Sequence, residues 1–266
     1  MATDKNKTQS MPRLESGQFI RGLRGALPYL EDYRGETFVV KLAGETLYQP
    51  NLPAIIDDII LLGSVGIKIV LVHGAWPQIQ QELRRELNLG QKSDPSMSDF
   101  EPDAMADVST DIEPEVLQNA VRRAVSESNW SLMSKLSAYG RTIFPISGHF
   151  VQAQKSVEAL KLSDRHTGMV SGVDTLALQA ALQQGYLPVL PPFSSGDGGM
   201  LLYLDATRIA LEAAVRLRAR KLIILSSQKA GAIICKPIGK DLPSSPTGKL
   251  IVGRPAKFAG VVNMSL

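Results

Sequence analysis

Short apolar runs and amphipathic segments follow one another regularly along the chain, and they predict strands and helices in turn. Thr37–Leu42 and Ile67–Val72 are almost continuously apolar, as expected for buried strands. Between them, residues 52–65 place apolar side chains at helical spacing, and Asn51 and Pro53 suit the start of a helix. A strand, a helix and a second strand in this order indicate a parallel sheet with right-handed crossovers. The pattern therefore predicts an α/β domain.

The same alternation continues to residue 225. The predicted helices cover about residues 77–88, 114–128, 175–184 and 206–218, and the predicted strands cover residues 142–146, 187–191, 201–204 and 221–225. Residues 157–173 are predicted to contain a small antiparallel ribbon. Residues 90–112 carry many acids among Ser, Pro and Met, which indicates a long loop.

Both ends of the chain differ from this central part. Residues 1–15 are polar and are predicted to be a disordered tail. Residues 16–34 have apolar positions at helical spacing, interrupted by Pro28, and such a helix docks either on another subunit or on its own domain. Beyond Leu225 periodicity falls and Gly, Pro and Ser increase. We therefore predict one folded domain over residues 16–235 and an irregular or incomplete end over residues 236–266.

Composition narrows the possible partners and compartments. The net charge is only +3, which is too weak to indicate a nucleic-acid partner, and no apolar run approaches the length of a membrane span. Cys235 is the single cysteine, so no intramolecular disulfide can form and a reducing compartment is expected. The polar N-terminus does not resemble a secretory signal. We expect a cytoplasmic protein, or one of an organelle matrix if a transit peptide has been removed.

Two loops at neighbouring strand ends are candidates for binding an anionic ligand. Lys41 lies at the carboxyl end of the first strand, where open α/β sheets bind ligands, and its ammonium group can neutralise a carboxylate or phosphate. Gly44 follows it and leaves backbone N–H groups open to an anion. His73, Gly74 and Ala75 form a second such loop before a helix. His73 is interpreted as a residue that fixes the loop rather than as a general base.

Asp205 opens a later helix, directly before Ala206 and Thr207. Asp is a common N-cap residue, and it could instead orient Lys41 or a bound ligand. The three histidines lack the spacing of metal ligands, so no metal site is predicted. The sequence also contains neither a P-loop nor a dinucleotide-binding fingerprint.

Several of these segments together resemble the amino-acid-kinase superfamily, namely Val39–Gly44, Leu71–Ala75 and Lys221–Leu225. Finer features are similar to the kinase-like domain of N-acetylglutamate synthase, an amino-acid N-acetyltransferase; they are Phe19–Leu30, Tyr33–Phe38, Gly74–Ile79, Ser147–Phe150, and His166–Gly168 with Asp174. The resemblance covers about residues 18–226. The combination of segments is specific, whereas no single segment is.

The resemblance implies a three-layer α/β/α sandwich with a mainly parallel sheet, truncated at its C-terminus. The synthase of this family makes N-acetylglutamate from acetyl-CoA and glutamate, the first step toward arginine. Its kinase-like domain mainly binds arginine and builds the oligomer through the N-terminal helix, here residues 18–30, while a separate domain transfers the acetyl group. The chain is therefore expected to be a regulatory or remnant domain that lacks the acetyltransferase domain and binds arginine, glutamate or N-acetylglutamate.

The sister enzyme, acetylglutamate kinase, uses the same fold to phosphorylate N-acetylglutamate with ATP, but this sequence departs from it. Where the kinase has three glycines after its histidine, the chain has Gly74, Ala75 and Trp76, and Trp76 would crowd a phosphate cradle. The catalytic aspartate of the kinase corresponds to Thr207, and a second, strand-end aspartate corresponds to Ser226 or Ser227. Phosphoryl transfer depends on positioning and charge stabilisation, so Lys41 and Thr207 are interpreted as the remnant of a kinase site.

Two alternatives remain open from the sequence. The chain could be an active acetylglutamate kinase-like enzyme, in which case ATP would be its co-substrate. It could also be a truncated product with no catalytic function. ATP or acetyl-CoA is expected as a cofactor only if one of the alternatives holds.

Overall fold

The structure, a computed structural model, describes residues 28, 31–87, 113–138, 144–155, 168–196, 199, 201–226, 250–251 and 260–263. The chain divides into two compact units, residues 1–34 and residues 35–266. Of the first unit, only the helical Pro28 and residues 31–34 are described. The predicted tail and almost all of the predicted N-terminal helix, like the predicted loop at residues 90–112, therefore lie outside the described residues.

The second unit alternates strands and helices, as the apolar pattern predicts. Its helices are α1 (Leu52–Ser64), α2 (Trp76–Glu86), α3 (Pro114–Ser137), α4 (Thr175–Gln183) and α5 (Ala206–Arg216), and a 3-10 helix covers Gly44–Tyr48. Its strands are β1 (Thr37–Leu42), β2 (Lys68–His73), β3 (Phe144–Ser147), β4 (Val151–Lys155), β5 (Gly168–Val173), β6 (Tyr186–Leu190), β7 (Phe193–Ser195), β8 (Leu201–Tyr203), β9 (Lys221–Leu225), β10 (Leu250–Ile251) and β11 (Gly260–Asn263).

A seven-stranded sheet forms the centre of the unit, in the order β10-β11-β9-β1-β2-β6-β3. The five strands from β9 to β3 are parallel. In β1 and β2, Leu42 is the register partner of His73, so the two strands end at the same edge. The carboxyl ends of β9, β1 and β2 therefore lie side by side, which is where the predicted site residues are concentrated.

Helices cover the sheet because successive strand residues face opposite sides. Val39 and Val72 belong to the apolar core that α4 and α5 complete with residues such as Leu178 and Ile209. Helices α2 and α3 share a second apolar cluster, in which Ile79 is fully buried. The predicted α/β/α fold with a mainly parallel sheet is confirmed.

Helix α3 is longer than predicted. The pattern placed its end near residue 128, whereas the helix continues to Ser137. Ser128 and Asn129 have weak helix propensity, but Leu132 and Leu136 are fully buried one and two turns further on. Tertiary burial thus overrides the local signal. The end of α4 agrees with prediction, since Gly185 follows it with φ +79°, a conformation that favours glycine.

Two small antiparallel ribbons flank the main sheet. Strand β5 pairs with β4, so the ribbon predicted within residues 157–173 uses partners from earlier in the chain. Strand β7 pairs with β8. The backbones of β10 and β11 extend the main sheet beyond β9, within the segment for which an irregular end is predicted. The domain boundaries proposed from the sequence remain predictions.

Candidate functional site

Hydrogen bonds join the loops that follow β9, β1 and β2 at the carboxyl edge of the sheet. The N–H of Ala43 donates to the carbonyl of Leu225 at 2.9 Å. The N–H of Gly74 donates to the carbonyl of Leu42 at 2.8 Å. The structure thus brings together the two glycine loops that the sequence placed on neighbouring strands.

Gly44 and Gly74 allow the two loops to pack closely, because neither residue has a side chain. A Cβ atom on Gly74 would lie 2.8 Å from the backbone nitrogen of Gly44, and one on Gly44 would lie 2.7 Å from Cδ of Pro77. The side-chain amide of Gln78 also donates to the carbonyl of Gly44 at 2.7 Å. The expectation that the Gly74 loop leaves its N–H open to an anion is wrong for Gly74 itself, because that group already serves Leu42.

Ala75 and Thr207 contribute backbone rather than side chains. Ala75 is the N-cap of α2, has no side-chain capping bond and is fully buried. Its backbone nitrogen would lie 3.1 Å from a Cβ on Gly44. The N–H of Thr207 donates to Oδ1 of Asp205 at 2.7 Å, so the predicted capping role of Asp205 on α5 is present.

Lys41 is half-buried, and two carboxylates act on its charge. Burial lowers the pKa of its ammonium group, and the negative charges of Glu45 and Asp205 oppose that shift. Asp205 also helps burial to raise the pKa of the Tyr203 hydroxyl. Asp205 is therefore a helix cap whose negative charge also acts on Lys41, while its orienting role toward Lys41 or a ligand remains a prediction.

Glu45 and Ser226 form a contact that sequence reasoning missed. Glu45 is only 6% exposed, and its Oε1 accepts a hydrogen bond from Oγ of Ser226 at 2.6 Å. Thr46 donates to the carbonyl of Leu225 at 3.3 Å. The available signal was a glutamate directly after the glycine of a strand-end loop, but its partner lies 181 residues away.

His73 is completely buried at the end of β2 and fixes the following loop. Its Nδ1 lies 3.0 Å from the carbonyl oxygen of Gly74, and its Nε2 lies 3.3 Å from Oδ1 of Asn129 on α3. Burial lowers the pKa of the ring, and these two hydrogen bonds partly oppose it. The arrangement agrees with a loop-fixing residue, and it places His73 away from solvent.

The sequence of residues 36–230 matches the Amino acid kinase family. The chain belongs to this family. An amino-acid acetyltransferase of Vibrio vulnificus (strain CMCP6) is 30% identical over 219 residues, which are 82% of this chain and 47% of that protein. The chain thus spans about half the length of the curated relatives that it matches.

Solved structures of N-acetylglutamate synthase from Neisseria gonorrhoeae share the family fold. One, complexed with coenzyme A and N-acetyl-glutamate, has a TM-score of 0.62 and 24% identity, covering 83% of this chain and 48% of that chain. Another, complexed with coenzyme A and L-arginine, has a TM-score of 0.57 and 25% identity, covering 80% and 49%. These likenesses agree with the amino-acid-kinase fold of the chain.

Trp76 stands where the resemblance to the kinase branch of the family calls for a third glycine. Its ring centroid lies 6.3 Å from that of Tyr203, with the planes tilted by 43°. Both rings are half-buried against the cluster shared by α2 and α3. A bulky aromatic pair is therefore packed at the start of α2, directly after this loop.

A cavity of about 510 Å³ lies apart from the predicted residues, lined by His149, Val151, Gln152, Ala153, Ser194 and Ser195. None of the site residues predicted from sequence lines it. Among the described residues, no group of three His, Cys, Asp or Glu side chains is placed to hold a metal ion. No helix in the described part of the chain is long and apolar enough to cross a membrane.

Proposed function

We propose that this chain acts in arginine biosynthesis as the amino-acid-kinase-like domain of an N-acetylglutamate synthase, that is, an L-glutamate N-acetyltransferase. Its role is to bind a small amino-acid ligand. We assign acetyl transfer to the part of these relatives that this chain does not match. Support comes from the amino-acid acetyltransferase of Vibrio vulnificus, which is 30% identical over most of this chain.

The charge around Lys41 is the observation that carries a binding role rather than phosphoryl transfer. The negative charges of Glu45 and Asp205 both act on this one ammonium group. A transferring phosphoryl group needs a surplus of positive charge or hydrogen-bond donors around it. Here the N–H of Gly74 is used within the sheet, and Trp76 packs on Tyr203. These contacts support a remnant kinase site, with Lys41 and Thr207 in the positions of its catalytic residues.

The ligand class follows from the same charges. A ligand carrying both a carboxylate and an ammonium or guanidinium group can pair with Lys41 and with the two acids, whereas ATP brings only negative charge. We therefore propose arginine or glutamate, which carry both kinds of charge, ahead of N-acetylglutamate, whose acylated nitrogen is neutral and which can pair only with Lys41 through its carboxylates. Structures of the Neisseria gonorrhoeae synthase with L-arginine and with N-acetyl-glutamate agree with this class for that protein.

Thermal unfolding with added ligands tests the proposal. A ligand present at 100 times its Kd stabilises the folded state by about 2.7 kcal/mol. For a chain of this size that corresponds to a rise in Tm of roughly 5–10 °C. We expect arginine, glutamate or N-acetylglutamate to raise the Tm and MgATP to leave it unchanged. A rise with MgATP alone would contradict the proposal.

A kinase acting on N-acetylglutamate is the second candidate, and the position of Lys41 at the end of β1 favours it. A coupled assay of ADP release with N-acetylglutamate and MgATP separates the two. We expect no turnover above background. Turnover that disappears in Lys41→Ala but persists in Lys68→Ala, a control at the opposite end of the neighbouring strand, would establish the kinase instead.

Assembly and compartment remain proposals. We propose a homo-oligomer formed through residues 18–30 and a location in the cytoplasm or an organelle matrix. Removal of residues 1–30 should lower the mass measured by light scattering. An unchanged mass would show that assembly, if present, uses another surface.

A further inference from the structure

A continuous line of hydrogen-bonding groups runs from the interior to the surface through His73, Asn129 and Ser147. His73 ends β2 and has no exposed surface. Its Nε2 lies 3.3 Å from Oδ1 of Asn129, and Nδ2 and Oδ1 of Asn129 lie 3.3 and 3.4 Å from Oγ of Ser147. Ser147 is exposed at the carboxyl end of β3. Three elements, β2, α3 and β3, each supply one member.

The direction of each of these hydrogen bonds depends on whether Nε2 of His73 carries a proton. The carbonyl of Gly74 can only accept, so Nδ1 of His73 carries a hydrogen. In a neutral ring Nε2 is then an acceptor, and it cannot bond to an amide oxygen, which also accepts. Either the amide of Asn129 turns to present its NH2 group, or Nε2 takes up a second proton.

These two solutions impose opposite roles on Ser147. When the NH2 group of Asn129 faces the ring, its oxygen faces Ser147 and accepts the hydroxyl proton. When a protonated Nε2 donates to the oxygen of Asn129, the NH2 group faces Ser147 and donates to Oγ. The hydroxyl proton of Ser147 is then no longer required by Asn129 and can turn to another acceptor.

We propose that His73, Asn129 and Ser147 form a proton-coupled relay, in which the protonation of the buried ring sets whether Ser147 donates inward to Asn129 or outward to an acceptor such as a carboxylate. Asn129 is the positioning residue that transmits the change. Ser147 lies two residues before His149, which lines the 510 Å³ cavity, although Ser147 itself is not among the lining residues.

The charged groups of the surrounding elements act on groups other than His73. Lys41, next to the register partner of His73 on β1, faces Glu45 and Asp205. On α3, Glu127 acts on Tyr48, and on α2, Glu82 and Glu86 pair with Arg85 and Arg123. Burial, with Gly74 and Asn129 opposing it, is what shifts the pKa of His73. A lowered pKa keeps the ring neutral near neutral pH. A neutral ring requires the NH2 group of Asn129 to face Nε2, the reverse of the Oδ1 contact in the structure, and Ser147 then donates inward.

The first test replaces the switchable amide by a group that can only accept. In the full chain labelled with 15N-histidine, the His73 resonances are assigned by their loss in His73→Gln. We expect Asn129→Asp to raise the proton affinity of His73 by about tenfold or more, because a carboxylate favours the protonated ring. Asn119→Asp is the matched control, about 15 Å away on the same helix, and it should leave His73 unchanged. An unaltered titration in a folded Asn129→Asp variant would overturn the relay.

The second test decides whether Ser147 belongs to the relay or only touches it. Ser147→Ala should change the Nε2 shift and alter the proton affinity of His73 by about threefold or more, and Ser147→Thr should restore both. A purely structural residue would leave these ring signals unchanged. If Ser147→Ala matches the wild type, the relay is refuted even where Asn129→Asp behaves as expected. Since Ser147 is exposed, this variant should fold if Asn129→Asp does not. No ligand is added, so failure here is independent of the proposed function.

Discussion

Replacing Gly74 by alanine should destabilise the junction between the two glycine loops. The new Cβ would lie 2.8 Å from the backbone nitrogen of Gly44 and 3.5 Å from its Cα. Ordinary contacts are longer than about 3.4 Å, so one backbone must move away from the other. Neither is free to do so, because Gly44 is held by Gln78 at 2.7 Å and Ala43 by Leu225 at 2.9 Å.

The expected magnitude combines two opposing effects. Overpacking a rigid site costs about 1–3 kcal/mol. Loss of backbone freedom in the unfolded chain returns about 0.4–1 kcal/mol. The net destabilisation of Gly74→Ala is then between about 0 and 2.6 kcal/mol and is about 1.3 kcal/mol at the centre of these ranges, which lowers the Tm of a chain of this size by roughly 3–5 °C.

Gly148→Ala is the matched control for this prediction. Its added Cβ would meet nothing closer than 3.5 Å, from the ring of Phe150, which is an ordinary contact. We expect its Tm to equal or slightly exceed that of the wild type. Urea and thermal unfolding followed by circular dichroism compare the three proteins. If Gly74→Ala unfolds at the same temperature and urea concentration as Gly148→Ala, the close approach of the two loops does not constrain the fold and the reasoning fails.

Three further predictions follow from individual polar side chains. Because the pKa of His73 is lowered below its unfolded value of about 6.5, the unfolded state binds the extra proton. As the pH is lowered below about 6.5, the free energy of unfolding should therefore fall more in the wild type than in His73→Gln. Urea unfolding across that pH range measures both. Parallel pH profiles would contradict the lowered pKa of His73. Ser226→Ala removes a donor to the buried Glu45 and should cost about 1.5–3 kcal/mol, whereas Ser226→Thr should retain most of the stability. Asp205→Ala removes the cap of α5 and should cost about 1 kcal/mol of stability in thermal unfolding. Asp205→Asn keeps an acceptor and should recover this stability. An equal loss in both variants would assign the effect to the charge of Asp205.

Local patterns were sufficient for most of the fold. Continuously apolar runs mark buried strands, and apolar positions three or four residues apart mark helices, so the predicted bounds of Thr37–Leu42 and Lys221–Leu225 agree with the observed ones. The order of these elements then required parallel pairing. The end of α3 was misplaced because Leu132 and Leu136 are buried by contacts that the Ser- and Asn-rich stretch before them does not reveal.

The site was predictable only in part, because its contacts also join residues that are far apart in the sequence. The sequence by itself placed Lys41, Gly44, His73, Gly74, Ala75 and Asp205 at strand ends and helix starts, because such positions follow from local periodicity and capping. Only the tertiary structure decided what these residues do. It packed Gly74 against Gly44, used the Gly74 N–H for Leu42, and set two carboxylates around Lys41. Hydrogen bonds and charges act over a few ångströms between residues as far apart as Glu45 and Ser226, and such pairings leave no periodic trace in a sequence.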